Sequence, residues 1–208
     1  MSSGSKSSGL KSSGVKIVLV ALAAGTLGVI ASVALNGPGP LLGTEAGQRI
    51  VQEAYKAGAP EPPPGVEVAE RDAQVQAFDV PDLAGKAVAV PAAYAGRPLL
   101  INVWASWCGP CVKEMPELQR FHAQQGANGT QVVGIALDDT AAVRDFLQRV
   151  PVDYPILVDA AGPADAGVRL GNPKGVLPYS VLLSADGTLL KQRIGPFADG
   201  EIDACAEL

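Results

Sequence analysis

Residues 99–116, LLINVWASWCGPCVKEMP, carry the pattern from which the architecture of this chain follows. The first six of them, 99–104, are almost wholly apolar and β-favouring, which predicts a buried strand. Beyond the two cysteines, apolar residues recur at helical spacing from Met115 onward. The sequence therefore predicts a strand that delivers Cys108 and Cys111 to the first turn of a helix.

The spacing of the two cysteines predicts redox chemistry. Cys-x-x-Cys on a helical turn brings two sulfurs close enough for an easily reduced disulfide. At the helix N-terminus, Cys108 faces unpaired backbone N–H groups and the positive end of the helix dipole, which favour its thiolate. We expect Cys108 to be the nucleophile and Cys111, one turn further in, to resolve the mixed disulfide.

A Cys-x-x-Cys pair can also be half of a zinc site. The remaining candidates, Cys205 and the single histidine His122, do not easily complete tetrahedral coordination. We therefore expect no metal and no cofactor. Cys205 is expected to pack inward as a small apolar residue.

The dipeptide between the cysteines bears on the direction of electron flow. Gly109 and Pro110 provide no side-chain cation that would stabilise Cys108 as an anion, which favours a reductant. Two alternatives use the same cysteines: a general disulfide oxidant or isomerase, and a copper-delivery protein. A third is an adaptor without redox activity that only binds partners and does not need the cysteines.

The residues around the pair resemble a known superfamily. WCGPC at 107–111 after an apolar strand resembles thioredoxins, and NVWASWCGPC at 102–111 with EMP at 114–116 resembles the membrane-anchored, extracytoplasmic TlpA/ResA type (DsbE/CcmG-like). Leu-Pro-Tyr at 177–179 stands where the superfamily carries its cis-proline. The resemblance covers residues 72–208. It implies an α/β thioredoxin fold, a mixed central sheet flanked by helices, and thiol:disulfide oxidoreductase activity.

Glu114 is the candidate acid–base residue. It lies three residues beyond Cys111 on the same helix side, where burial would raise its pKa and suit it to proton transfer. Thioredoxin has a buried aspartate on its central strand, whereas this chain has Asn102 there, as the TlpA/ResA type does, so by resemblance the role passes to Glu114. The alternative is a surface carboxylate near a helix N-terminus.

The expected client-binding surface surrounds the disulfide. By resemblance, a cis bond before Pro178 would turn the main chain of Leu177 towards an incoming peptide. The surface is expected to comprise Trp107, Gly109, Pro110, Leu177 and Pro178.

The N-terminal part of the chain predicts a membrane anchor. Residues 17–35 are apolar and uncharged over a length that suits a membrane span. Three lysines and no acidic residue precede this segment, so residues 1–16 should form a cytoplasmic tail and the remainder should be exported. The alternative is a signal peptide cleaved near Ser-Val-Ala at 32–34. Residues 36–71 are predicted to contain a juxtamembrane helix, and 60–65 a proline-rich spacer.

The predicted elements alternate between strand and helix, which favours a partly parallel sheet. The juxtamembrane helix, 44–57, has Ile50, Val51, Ala54 and Tyr55 as its apolar positions. The other predicted elements are strands flanking a turn at 81–85, a helix at 109–125, a strand at 131–137, a helix at 140–149, a strand at 156–158, a helix at 164–170, a hairpin of 181–183 with 189–194, and a helix at 199–207.

Charge and the resemblance together define the expected partners and location. The chain has 16 basic and 21 acidic residues, and three of the basic ones precede the apolar segment, so nothing favours nucleic acid. The resemblance implies a single-pass protein of the bacterial inner membrane with its domain in the periplasm. It also implies an electron donor of the DsbD or CcdA type. The implied clients are disulfide-bearing proteins, either apocytochrome c in cytochrome c maturation or copper-site proteins of oxidase assembly.

Overall fold

The structure is a computed structural model that describes residues 44–198 and 200–206. The chain divides into two units, Met1–Thr44 and Glu45–Leu208, and all the elements below belong to the second. The predicted tail (1–16) and anchor (17–35) lie outside the described residues. Within the described ranges, no helix has the length and apolar character needed to cross a membrane.

Helices and strands alternate along most of the described chain, as the hydrophobic pattern predicts. The elements are α1 (Glu45–Lys56), β1 (Phe78–Pro81), β2 (Ala87–Val90), β3 (Leu99–Trp104), α2 (Gly109–Gln124), β4 (Gln131–Leu137), α3 (Thr140–Arg149), β5 (Ile156–Asp159), α4 (Ala166–Arg169), β6 (Tyr179–Leu183), β7 (Leu189–Ile194) and α5 (Glu201–Ala206). A short 3-10 turn, Ala92–Tyr94, follows β2.

A five-stranded mixed sheet forms the centre of the domain. Its strand order is β5-β4-β3-β6-β7. Strands β3, β4 and β5 are parallel, whereas β6 runs antiparallel to both β3 and β7. Strands β1 and β2 form a separate antiparallel hairpin. The predicted mixed sheet flanked by helices is therefore confirmed, with β3 in its middle.

Alternation along β3 divides the core into two layers. All six residues of β3 are buried, and successive side chains of a strand point to opposite faces. Leu100 and Trp104 pack in a cluster with Met115 of α2, whereas Ile101 and Val103 pack in a second cluster. By this alternation Asn102 lies on the same face as Leu100 and Trp104, so its amide points towards α2.

Helix α1 forms as predicted but packs through polar residues. Gln48 and Gln52 are its buried residues, whereas Ile50 is 72 % exposed. The Gln48 Oε1 accepts a hydrogen bond from the Ile194 N–H at 2.9 Å, and the Gln52 amide donates to the carbonyl of Gln192. Strand β7 is an edge strand whose outer peptide groups need partners, and the glutamine amides supply them. Of the four apolar positions named from the sequence, Ile50 and Ala54 are exposed. Val51 and Tyr55 are half-buried and lie on the same helix side as the two glutamines.

Candidate active site

The cysteine pair lies where β3 gives way to α2. Cys108 is the N-cap residue of α2, and its Sγ accepts a hydrogen bond from the Cys111 N–H at 3.3 Å. The two residues form a disulfide with their Cα atoms 5.3 Å apart. Pro110 occupies the first turn, where its missing N–H leaves no helical hydrogen bond unmade. The predicted delivery of both cysteines to the start of a helix is confirmed.

The two cysteines differ in how far solvent reaches them. Cys108 is 6 % exposed, whereas Cys111 is fully buried. Gly109 and Pro110 are exposed beside them, and Trp107 is 70 % exposed. Of the two cysteines, Cys108 is therefore the more accessible, and the roles of nucleophile and resolving thiol stay predictions.

The Leu177–Pro178 peptide bond is cis, as the resemblance implied. Leu177 is partly buried and packs against the apolar cluster that contains both cysteines. Within the described ranges, no hydrogen bond uses the main-chain N–H or carbonyl of Leu177, whereas the Pro178 carbonyl accepts from the Gly195 N–H at 2.9 Å. Leu177 is thus packed against the cluster that contains the cysteines, with its peptide groups unused. A second cis bond, before Pro91, was not predicted.

Glu114 is buried, being only 3 % exposed. Its Oε1 accepts a hydrogen bond from Asn102 Nδ2 at 2.8 Å, and its Oε2 accepts one from the Phe197 N–H at 3.0 Å. Burial raises its pKa to about 7, and these two hydrogen bonds and the charge of Arg193 oppose that rise. The alternative of a surface carboxylate is therefore wrong. One turn beyond Cys111, the chain holds a carboxyl whose two forms are both populated near neutral pH.

The comparisons with known proteins agree with this geometry. The Redoxin family matches residues 70–207. The chain belongs to that family. The thiol-disulfide oxidoreductase ResA of Bacillus thuringiensis (strain Al Hakam) is 31% identical over 121 residues, which cover 57% of this chain and 66% of ResA, just under two thirds of its length. The sporulation thiol-disulfide oxidoreductase A of Bacillus subtilis (strain 168) is 25% identical over 134 residues, which cover 62% of this chain and 78% of that relative.

A solved structure of StoA from Bacillus subtilis superimposes with a TM-score of 0.52 at 25% identity, covering 64% of this chain and 98% of StoA. The predicted membership of the thioredoxin superfamily, with ResA-type relatives, is confirmed. Residues 70–207 are called the Redoxin domain below.

Three residues of the Redoxin domain lie around Glu114 and had no role predicted from the sequence. Ser180 Oγ of β6 accepts a hydrogen bond from Asn102 Nδ2 at 3.0 Å. The main-chain N–H of Phe197, which donates to Glu114, belongs to a loop 83 residues after Glu114 in the chain. Arg193 holds that loop: its guanidinium donates to the Pro196 carbonyl at 2.7 Å and lies 5.0 Å from the centre of the Phe197 ring. The signal available in the sequence was a polar Asn102 in the middle of an apolar strand.

Proposed function

We propose that this protein is a thiol:disulfide oxidoreductase that reduces disulfides in client proteins outside the cytoplasm, tethered to the bacterial inner membrane by residues 17–35. The observation that carries the proposal is the disulfide of Cys108 and Cys111 at the start of α2, with the buried carboxyl of Glu114 one turn further on. The ResA-type relatives support disulfide chemistry. The uncharged segment that follows three lysines supports the location.

The first step of the proposed reaction belongs to Cys108. In the reduced pair its thiolate is stabilised by the helix N-terminus and attacks one sulfur of a client disulfide. A mixed disulfide forms, the client disulfide breaks, and the departing client thiolate takes a proton from water. Because Cys108 is the only cysteine of the pair that reaches the protein surface, the mixed disulfide forms at Cys108.

The second step belongs to Cys111 and Glu114. The Glu114 carboxylate accepts the proton of the buried Cys111 thiol, and the resulting thiolate attacks the Cys108 sulfur. The second client sulfur leaves as a thiolate, so the client gains two electrons and the pair becomes the disulfide. A pKa of about 7 allows Glu114 to take and release this proton at neutral pH.

Client docking would use the surface beside the disulfide, formed by Trp107, Gly109, Pro110, Leu177 and Pro178. The exposed indole of Trp107 offers an apolar contact next to Cys108. The unused peptide groups of Leu177 suit an extended client segment that pairs with it as a short strand. Such main-chain pairing would tolerate clients of different sequence.

The direction of electron flow and the partners belong to the same proposal. Gly109 and Pro110 place no cation beside Cys108, which favours a reducing pair. The pair would be re-reduced by a membrane donor of the DsbD or CcdA type. Its clients would be the haem-attachment cysteines of apocytochrome c or copper-site proteins of oxidase assembly.

A trapping experiment tests the proposal. The full chain carrying Cys111→Ser, produced in its own host, should accumulate mixed disulfides through Cys108, because the resolving thiol is missing. These adducts should disappear on treatment with dithiothreitol, and mass spectrometry of the captured partners shows the client class. Cys108→Ser is the matched control and should capture almost nothing. Equal capture by both variants, or none by either, contradicts the proposal.

A further inference from the structure

A buried amide that the proposed reaction does not use lies against Glu114. Asn102 is 1 % exposed, and its Nδ2 donates both to Glu114 Oε1 at 2.8 Å and to Ser180 Oγ at 3.0 Å. Its Oδ1 is also buried, and among the described residues no donor reaches that atom. One end of the amide is therefore paired twice and the other end is unpaired.

This arrangement suits only one protonation state of Glu114. The ionised carboxylate is purely an acceptor, and it receives two donors, from Asn102 and from the Phe197 main chain. The neutral acid carries an O–H group that needs an acceptor. With the amide held as it is, a proton on Oε1 would face the N–H of Asn102, and a buried donor without an acceptor is destabilising.

We propose that the side-chain amide of Asn102 turns over when Glu114 changes protonation state, presenting Nδ2 to the carboxylate and Oδ1 to the carboxylic acid. The inference rests on the proposed function only in requiring that Glu114 exchange a proton. A half-turn about the Cβ–Cγ bond exchanges the amide nitrogen and oxygen in nearly the same positions. The unpaired Oδ1 then accepts the proton of Glu114.

Ser180 allows the turn without losing its own hydrogen bond. A serine hydroxyl both donates and accepts, so it accepts from Nδ2 in one orientation and donates to Oδ1 in the other. One end of the amide stays unpaired in each orientation: Oδ1 when Glu114 is ionised, and Nδ2 when Glu114 is neutral. An aspartate at this position would instead place a second carboxyl against Glu114. Asn102 is therefore a positioning residue that keeps Glu114 hydrogen-bonded in both of its forms.

The other charged and titratable groups near Glu114 come from two further directions. Arg193 of β7 contributes a positive charge that lowers the pKa of Glu114. Tyr154, which precedes β5, is buried and has its pKa raised by that burial and then by the charge of Glu114. His122 lies against Tyr154, with ring centres 5.9 Å apart. While the disulfide is intact, Cys108 and Cys111 do not titrate.

The test follows the amide directly. The oxidised full chain in detergent micelles, labelled with 15N in asparagine and with 13C at the glutamate carboxyl, is titrated from about pH 5 to about pH 9, which brackets the pKa of Glu114. The two side-chain amide protons of Asn102 should shift upfield as pH falls, because both leave hydrogen bonds. Their midpoint should coincide with that of the Glu114 carboxyl carbon.

Two variants serve as controls. Glu114→Gln should make the Asn102 signals independent of pH, which shows that Glu114 is the cause. Ser180→Ala should keep the response of the amide proton that faces Glu114, because that proton does not depend on the hydroxyl. Loss of the response in Ser180→Ala, or its survival in Glu114→Gln, overturns the inference.

The outcomes separate the amide from the acid–base role. If the Glu114 carboxyl carbon titrates while the Asn102 amide signals stay constant, the turning amide is wrong and the proton carrier stands. If the Glu114 carbon does not titrate anywhere in this range, the turning amide and the acid–base role are both overturned.

Discussion

Replacement of Glu114 by glutamine should change how stability depends on pH. Burial holds the pKa of Glu114 at about 7, compared with 4.5 for an ordinary glutamate. The folded chain therefore binds this proton more tightly than the unfolded chain, and the wild type loses stability as pH rises from about 4.5 to about 7. A rise of about 2.5 pH units corresponds to about 3 kcal/mol of unfolding free energy. The glutamine variant lacks this loss.

Urea unfolding of the oxidised wild type and variant at a series of pH values measures the effect. As pH rises from about 4.5 to about 8, the unfolding free energy of Glu114→Gln should increase by about 3 kcal/mol relative to that of the wild type. The glutamine N–H₂ group replaces one of the two carboxylate oxygens that accept hydrogen bonds from Asn102 and Phe197, which adds an offset that does not depend on pH. Only the slope is therefore diagnostic.

Glu117→Gln provides the matched control, since it makes the same charge change three residues along α2. The Glu117 carboxyl is ion-paired with Arg120 at 2.6 Å, and the hydrogen bond from Arg120 is the main cause that lowers its pKa. Because the pKa of Glu117 is lowered in the folded chain, ionised Glu117 stabilises the fold above the pKa it has when unfolded. This stabilisation is lost only in more acidic solution, so the difference in unfolding free energy between Glu117→Gln and the wild type should be constant above about pH 5. A flat difference for Glu114→Gln as well would refute the reasoning.

Three further variants, one of them a double substitution, have distinct expected outcomes. Gly134→Ala should lower the free energy of unfolding by about 1–3 kcal/mol, because its Cβ would lie 2.7 Å from Cδ1 of Ile156; unchanged urea unfolding contradicts this. Gln48→Ala with Gln52→Ala should lower stability by about 1 kcal/mol per lost hydrogen bond and accelerate hydrogen exchange in β7; unchanged exchange would show that α1 does not protect that edge. Trp107→Ala should weaken client capture yet change unfolding by less than about 0.5 kcal/mol, since the side chain is 70 % exposed; equal capture removes Trp107 from the docking surface.

The sequence predicts the elements well wherever burial repeats with a regular period. Strand β3 and helix α2 follow from a short apolar run, two cysteines and helical spacing, and their observed bounds differ little from the predicted ones. The packing of α1 could not be predicted in this way. Its contact with β7 uses hydrogen bonds between the side chains of Gln48 and Gln52 and main-chain groups, and such bonds leave no hydrophobic pattern.

The hydrogen bonds around Glu114 are likewise only partly predictable from the sequence. Its burial and raised pKa are predicted from its place on α2, because residues three apart share a helix side. Its two hydrogen-bond partners are the amide of Asn102 on β3 and the main chain of Phe197, and Ser180 on β6 bonds in turn to Asn102. The period-two alternation of a strand predicts that Asn102 faces α2. The contact between Asn102 and Ser180 depends on the pairing of β3 with β6, which the sequence does not give. The N–H of Phe197 is a main-chain donor, so no residue type marks it in the sequence.

The reduction potential of the pair of Cys108 and Cys111 is the decisive quantity, obtained by equilibrating the full chain against dithiothreitol and glutathione buffers. Thioredoxin-like reductants lie near about −270 mV and strong oxidants near about −120 mV, a gap of about 7 kcal/mol for two electrons. We predict a value near the first, which would make the pair a source of electrons for client disulfides. A value near the second would contradict the proposed direction and show that the protein forms disulfides in its clients.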